Sequence, residues 1–219
     1  MEAREELLRE GKKPPRIGLF YDTSTLRHNH WHEHVDMTTE RGKQWFYATI
    51  RDFFSMIPPK HWAMIDDKPI VLTYTAAFAK KHDDSFVAYT KGEFKKEFGG
   101  REPYLAPQDS WNVKADNTCA WGGALGLKNP GIGELGPGYD HSAVPRRTPL
   151  IVKREGGKFY EDQWLKFLRK PSDFVMIETW SEFHEGTTIC ESKEYGRQYI
   201  ELTRKYSDLF KRGWRPPEK

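Results

Sequence analysis

Cysteine is scarce in this sequence. Cys119 and Cys190 are the only two in 219 residues, too few for a disulfide framework or a cysteine-based zinc site. They allow one bridge at most, and two buried thiols are the simpler expectation. No apolar run approaches the roughly 18 residues that a membrane-spanning helix needs, so no membrane span is expected. The opening MEAREELLREGKKPPRIG is charged and helical in character and does not read as a signal peptide. The compartment stays open. Lys and Arg number 35 against 32 Asp and Glu, a net charge of +3. No basic block stands apart from acidic residues, which argues against a nucleic-acid partner. Residues 122–133 are rich in glycine, yet they hold neither G-x-G-x-x-G after a strand nor G-K-[ST]. G-x-S-x-G is also missing, and neither cysteine has a neighbouring histidine. Phosphate-loop, serine-hydrolase and cysteine-nucleophile chemistry therefore find no motif, and no cofactor is implied.

Aromatic residues, in contrast, are abundant at 14%, with eight Trp and ten Tyr. Such rings pair a flat apolar face with a polar handle, which suits sugar, nucleobase or interface binding as well as a core. Helix patterns fall at 2–10, 38–57, 84–98, 160–170 and 194–213. Strand-like runs fall at 16–22, 68–76, 103–107, 118–126 and 173–180, with a sixth around ELGPGY. Strands that alternate with helices, several of them short continuous apolar runs, predict an α/β fold with a parallel sheet. The count suits a (β/α)8 barrel of TIM type that is incomplete, lacking about two or three N-terminal βα units of the eight. The expected organisation is an N-terminal helix and linker at 1–15, a partial barrel at 16–213 and a tail at 214–219. Unpaired sheet edges in such a fragment would favour self-association.

The expected strands end in polar or aromatic groups: Tyr21-Asp22, Thr73-Tyr74, Gln108-Asp109, Trp121 and the segment from Glu178 to Glu185. In parallel α/β sheets, ligands gather at the carboxyl ends of strands. The stretch ETWSEFHEGTTI (178–189) concentrates this chemistry. Glu182 and Glu185 are spaced to project to one side of a turn, and two carboxylates in one cleft suit glycoside hydrolysis, one as acid and one ionised. His184 between them could orient a carboxylate or bind a hydroxyl. A charged strand-to-helix junction has the same composition. In GELGPGYDH (133–141), Gly136 and Gly138 would let the backbone bend and present Tyr139 and Asp140 to a pocket; a plain turn reads the same way. In RHNHWHEHVD (27–36), His28, His30, His32 and His34 alternate and would face one way in an extended segment. Four histidines in one loop more often form an adventitious site, so no functional metal is assigned.

Taken together, GPGYD and WSEFHEGT resemble the GPGY and NEWHEGT signatures of glycoside hydrolase family 99, the endo-acting α-mannosidases and α-mannanases, with GGKFYEDQWLKFL standing between them. RIGLFYD and KPIVLTY extend the resemblance upstream, so that it covers roughly residues 16–210. The resemblance implies a (β/α)8 barrel and retaining hydrolysis of an α-mannoside-like bond in an oligo- or polysaccharide. It implies Glu182 as the base acting on the sugar's own 2-hydroxyl, which attacks C1, and Glu185 as the acid that protonates the leaving oxygen. Asp22, Tyr74, Trp121 and Tyr139 would line the sugar site. Relatives in that family are often exported. Ser181 and Phe183 stand where the family has Asn and Trp, and Asp22 is shorter than its Glu. These departures bear on sugar specificity more than on reaction class. Two other readings stay open: a non-catalytic carbohydrate-binding remnant, and a metal-dependent hydrolase built on the histidine loop.

Overall fold

The apolar run from Arg16 yields only a three-residue strand, Leu19–Tyr21 (β1), because Asp22 stops it. The Asp22 carboxylate accepts the Ser24 N–H at 2.9 Å and so caps the short 3-10 turn Thr23–Leu26. Next come Met64–Ile65 (β2) and Lys68–Thr73 (β3), joined through Asp66 and Asp67, both at positive φ as a tight hairpin turn requires. β1 and Tyr104–Pro107 (β4) flank β3 in parallel, with Leu19 opposite Val71 and Leu105 opposite Val71. The prolines of the third expected strand sit at its ends, where a missing N–H is tolerated. The computed structural model of the chain describes residues 1–217, so the last two residues of the expected tail lie outside it. It forms two compact units, Met1–Thr118 and Cys119 to the C-terminus.

In the first unit the helices are Glu2–Arg9 (α1), Glu40–Met56 (α2) and Ser85–Glu97 (α3). Thr39 caps α2 by accepting the Gly42 N–H at 3.1 Å. A Cβ on Gly42 would fall 1.9 Å from the Asp36 carbonyl oxygen, so the first turn of α2 can pack there only with glycine. Phe46, Ile50 and Phe54 of α2 and Phe86 and Phe94 of α3 form the core with Val71, Leu105, Trp62 and Trp111. Phe54 is its hub: its ring lies 5.1 Å from Trp62 and 5.3 Å from Phe94, edge to face in both cases. The two indoles are satisfied by carbonyls, Trp62 Nε1–H donating to Ile57 at 2.7 Å and Trp111 Nε1–H to Tyr74 at 2.6 Å. Part of the tryptophan excess is therefore core.

The second unit contains Gly133–Leu135 (β5), Tyr139–Asp140 (β6), Ile151–Val152 (β7), Val175–Ile177 (β8), Lys158–Arg169 (α4) and Gln198–Lys211 (α5). β5 pairs in parallel with β8, and β6 pairs antiparallel with β7. Phe167 of α4 presses on β5 at Gly133, where a Cβ would lie 2.3 Å from the ring. Trp164 stacks on Tyr206 across α4 and α5 at 5.9 Å. The strand expected at 118–126 is not formed. That segment turns instead, with a 3-10 turn at Gly123–Leu125. Among the described residues the strands make three separate sheets and no closed barrel. No helix among them is long and apolar enough to cross a membrane.

Phe54→Ala should cost about 3–5 kcal/mol of stability in denaturant titration. Met56→Ala, at a side chain that is 72% exposed, should fall within about 0.5 kcal/mol of wild type.

Candidate functional site

β8 ends at Ile177, and the chain after it closes on itself by backbone hydrogen bonds. Thr179 N–H donates to Thr187 O at 3.1 Å, Ile189 N–H to Thr179 O at 3.0 Å and Cys190 N–H to Trp180 O at 3.0 Å. The threonines knit the base of the loop, with their Oγ1 atoms 2.7 Å apart. Thr179 Oγ1 also accepts the Glu182 N–H at 3.2 Å. Polar residues ending a strand thus become a loop whose tip, Trp180 to His184, faces solvent. Glu182 and His184 are exposed on that tip, and Trp180 and Phe183 are 62% and 57% exposed.

Glu185 sits differently. It is half-buried, 3.5 Å from Arg147 Nη1, and its carbonyl accepts the Asp140 N–H at 2.9 Å. The next residue, Gly186, has φ 60° and lies against the Asp140 backbone, so a side chain there would be strained and crowded. Burial first, and then the Glu185 charge, push the Tyr139 phenol above its ordinary range. Tyr139 Oη lies 3.0 Å from His141 Nδ1, and the Nε2 of that buried ring contacts Thr148 O at 2.8 Å. The fold therefore brings Tyr139, Asp140 and Glu185 together. Asp140 is exposed and spends its carboxylate on the Ser142 N–H and hydroxyl, which hold it below the usual range. Trp121 is half-buried in the turn before Gly123. In the first unit, Asp22 and Tyr74 follow the paired residues Tyr21 and Thr73, so they stand side by side at the carboxyl end of that sheet. Asp22 is exposed, and the Tyr74 ring packs 6.3 Å from Phe20 and 6.2 Å from Phe78.

Two features of this site carry no sequence motif. The first is Arg154, buried and held between the rings of Tyr195 and Tyr199, its guanidinium carbon 4.4 Å from each centroid. Its Nη2 donates to Gly186 O at 2.7 Å and to Thr188 O at 2.9 Å, clamping the far side of the Glu185 loop. Gly138, at φ 125°, lets β6 pass close to this arginine, since a Cβ there would meet Val152 O at 2.7 Å. The second is a pair of buried carboxyl groups. Glu178 Oε2 accepts the N–H groups of Gly122 at 3.0 Å and Ala124 at 3.1 Å, and Glu134 Oε1 accepts that of Gly123 at 3.2 Å. Burial, followed by the facing Glu178, pushes Glu134 up to about 8. Gly136, where a Cβ would lie 2.3 Å from Glu178 O, permits this close packing.

A cavity of about 490 Å3 opens beside the loop, with Tyr139, Phe183, Gly186, Arg154 and Tyr195 among its walls. The histidine segment is turned rather than extended. His32 adopts φ 55°, His28 packs on Phe78 and His30 on Trp31, so the alternation of an extended segment is broken. Among the described residues no group of three or more His, Cys, Asp or Glu is placed to hold a metal ion. No disulfide joins the cysteines, and Cys190 Sγ lies 3.1 Å from Thr188 Oγ1.

Residues 3–215 match the sequence profile of a family described as a domain of unknown function, DUF5010. The chain belongs to that family. No curated protein matches it in sequence. Solved structures similar to this DUF5010 chain include the GH99 endo-alpha-mannosidase from Bacteroides thetaiotaomicron, at 17% identity and a TM-score of 0.59, over 78% of this chain and 63% of that one. The same enzyme in complex with bis-tris-propane gives 16% and 0.54, over 79% and 67%. A glycoside hydrolase-like protein gives 16% and 0.64, over 94% and 75%. At these identities the likeness is one of fold: this is an α/β fold similar to glycoside hydrolase barrels. The chain spans about 63% of the mannosidase's length.

The Glu134 carboxyl has a folded value near 8 against an ordinary 4.5, so between those pH values the folded state holds the extra proton. Its contribution is complete below about pH 4.5 and is lost as pH rises through about 8, a change of a few kcal/mol at most. Urea titrations at about pH 5.5 and about pH 9 should show this fall in wild type and a flatter profile in Glu134→Gln.

Proposed function

We propose that this DUF5010 chain is a glycoside hydrolase that acts on an α-linked, mannoside-like oligo- or polysaccharide with retention at the anomeric carbon. The observation that carries the reading is the placement of Glu185. It is half-buried beside Tyr139 and Arg147, on a strand-end loop clamped from behind by Arg154. A general acid must be held in one orientation toward the leaving oxygen, and these neighbours provide that restraint. Glu182, exposed on the same loop, is the group that draws the proton from the sugar's 2-hydroxyl as that hydroxyl attacks C1. The bond from C1 to the leaving oxygen breaks as Glu185 protonates that oxygen, and water then opens the 1,2-anhydro sugar, giving net retention. The nucleophile is then part of the substrate, so no enzyme carboxylate need reach the anomeric carbon. Tyr139, Asp140, His184 and Trp121 are read as contacts to the sugar. The fold goes with this reading as a (β/α)8 type short of about two or three N-terminal βα units.

A second reading rests on a different observation. Trp180 and Phe183 expose large ring faces on the loop tip, a stacking surface that would bind a glycan with no chemistry at all.

Hydrolysis of α-linked oligosaccharides, followed by NMR of the released anomer, tests both. Glu185→Gln should lower kcat on natural oligosaccharides by about 100-fold or more and spare aryl glycosides with good leaving groups. Glycan binding without turnover by folded wild-type protein, unchanged in Glu185→Gln, would leave the binding reading in its place.

A further inference from the structure

The proposed chemistry uses neither Glu134 nor Glu178, yet the two are the most deeply buried carboxyl groups of the second unit, 0% and 2% exposed. Glu134 Oε2 is buried and meets no hydrogen-bond donor among the described residues. An acceptor with no donor, shut away from water, is costly as a carboxylate, so that oxygen has to be a donor itself and carry a proton. The Glu134 side chain interacts with the Glu178 carboxyl, whose Oε2 already takes two amide N–H groups. One proton between two carboxyl groups, with three consecutive amides at Gly122, Gly123 and Ala124 supplying the other bonds, satisfies the cluster. Two carboxylates would not.

Glu178 is also where the loop begins. Its N–H donates to Leu135 O at 3.0 Å, and the residue after it, Thr179, bonds to Thr187, Ile189 and Glu182. Moving Glu178 therefore moves the base of the loop that bears Glu182 and Glu185.

We infer that Glu134 and Glu178 are a proton-sharing positioning pair, which ties the 179–189 loop to the Gly122–Ala124 turn and so sets where the proposed catalytic carboxylates stand. The charged groups that face the pair are few. Lys128 comes from the segment bridged to Glu134 and favours ionisation, while Tyr139 senses the Glu178 charge. Against β5, α4 sets the uncharged ring of Phe167. Loss of the shared proton leaves two negative charges facing each other in a buried space. The repulsion is relieved by releasing Glu178 from the turn.

The catalytic consequence rests on the glycosidase reading, but the loop itself does not, so hydrogen exchange is the deciding measurement. Peptide-resolved exchange over 179–189 would be followed in the full chain at about pH 6.5 and about pH 9, corrected for the chemical exchange rate. Wild type should lose about tenfold protection or more there as the proton leaves. Glu134→Gln, whose amide donates to Glu178 without titrating, should keep its protection at both pH values. Should that variant fail to fold, Glu178→Gln, which removes the facing charge, should lose less protection than wild type over the same pH interval. Unchanged wild-type protection, or an equal loss in a folded variant, overturns the inference. If the chain hydrolyses no glycan, the exchange result still decides the role of the pair. If it does, the alkaline limb of kcat should move upward in pH in Glu134→Gln, a change that Glu185→Gln would not reproduce.

Discussion

The second unit depends on a carboxylate side chain that does the work of a backbone. Glu178 lies at the end of β8 and accepts the Gly122 and Ala124 amides, which no strand or helix partner claims. Buried amides left without acceptors would each cost about 1–3 kcal/mol. The turn therefore cannot form unless a buried acceptor reaches it, and Glu178 cannot be buried unless the turn surrounds it. Gly123 and Gly136 follow from the same constraint. A Cβ on Gly123 would come 2.6 Å from the Glu134 carbonyl carbon, and one on Gly136 would strike Glu178 O. Glu134 completes the cluster. An apolar residue in its place would leave the Gly123 amide without its acceptor.

Around that centre the loop is held on two sides by different physics. On one side is the threonine lacing from Thr179 to Thr188, short-range and neutral. On the other is Arg154, whose charge is buried at tolerable cost because two carbonyls accept from it and two tyrosine rings face it. Lysine could not replace it, since a single ammonium cannot both fork to two carbonyls and lie flat between rings. The arginine and the carboxyl pair act on opposite ends of one segment, residues 178 to 188. Between them only the tip, with Trp180, Glu182 and Phe183, is left to solvent.

How much of this was legible in the sequence depends on how far apart the partners are. The helices were, because their signals are local: in α2, apolar residues recur at helical spacing from Trp45 through Phe54, whereas its Thr39 cap shows only in the structure. Five of the six expected strands exist, shortened where Asp22 and the prolines of β4 end them. The run TCAWGGALG misled because its small apolar residues imitate a strand, while its amides answer to a carboxylate more than 50 residues later. Glu182 and Glu185 stood out through their motif, but the surroundings of Glu185 come from Tyr139 and Arg147, some 40 residues before it. Arg154 and Glu134 were invisible for a related reason. A lone arginine after a two-residue strand, and a lone glutamate in a glycine-rich run, acquire meaning only through partners the chain brings from elsewhere. The histidine loop is the opposite case, a regular local pattern whose backbone turns where the alternation would need it extended.

Stability alone does not account for burying two carboxyl groups beneath a loop. Replacing buried ionisable pairs by well-packed apolar residues is often neutral or even favourable to a fold. Here that route is closed by the three amides, yet a single buried acid, or an amide side chain, could have served them. A second acid adds what an apolar or amide side chain lacks, a proton whose presence decides whether Glu178 stays on its turn. A structural strut gains nothing from such a dependence. A loop that, on the proposed reading, holds two further carboxylates at fixed positions does gain, because its geometry is set by directional bonds and not by the adaptable packing of side chains. The burial of Glu134 and Glu178 and the exposure of Glu182 are then two aspects of one arrangement, with the titrating pair kept in the interior and, on the proposed glycosidase reading, the charge that meets a substrate placed at the tip.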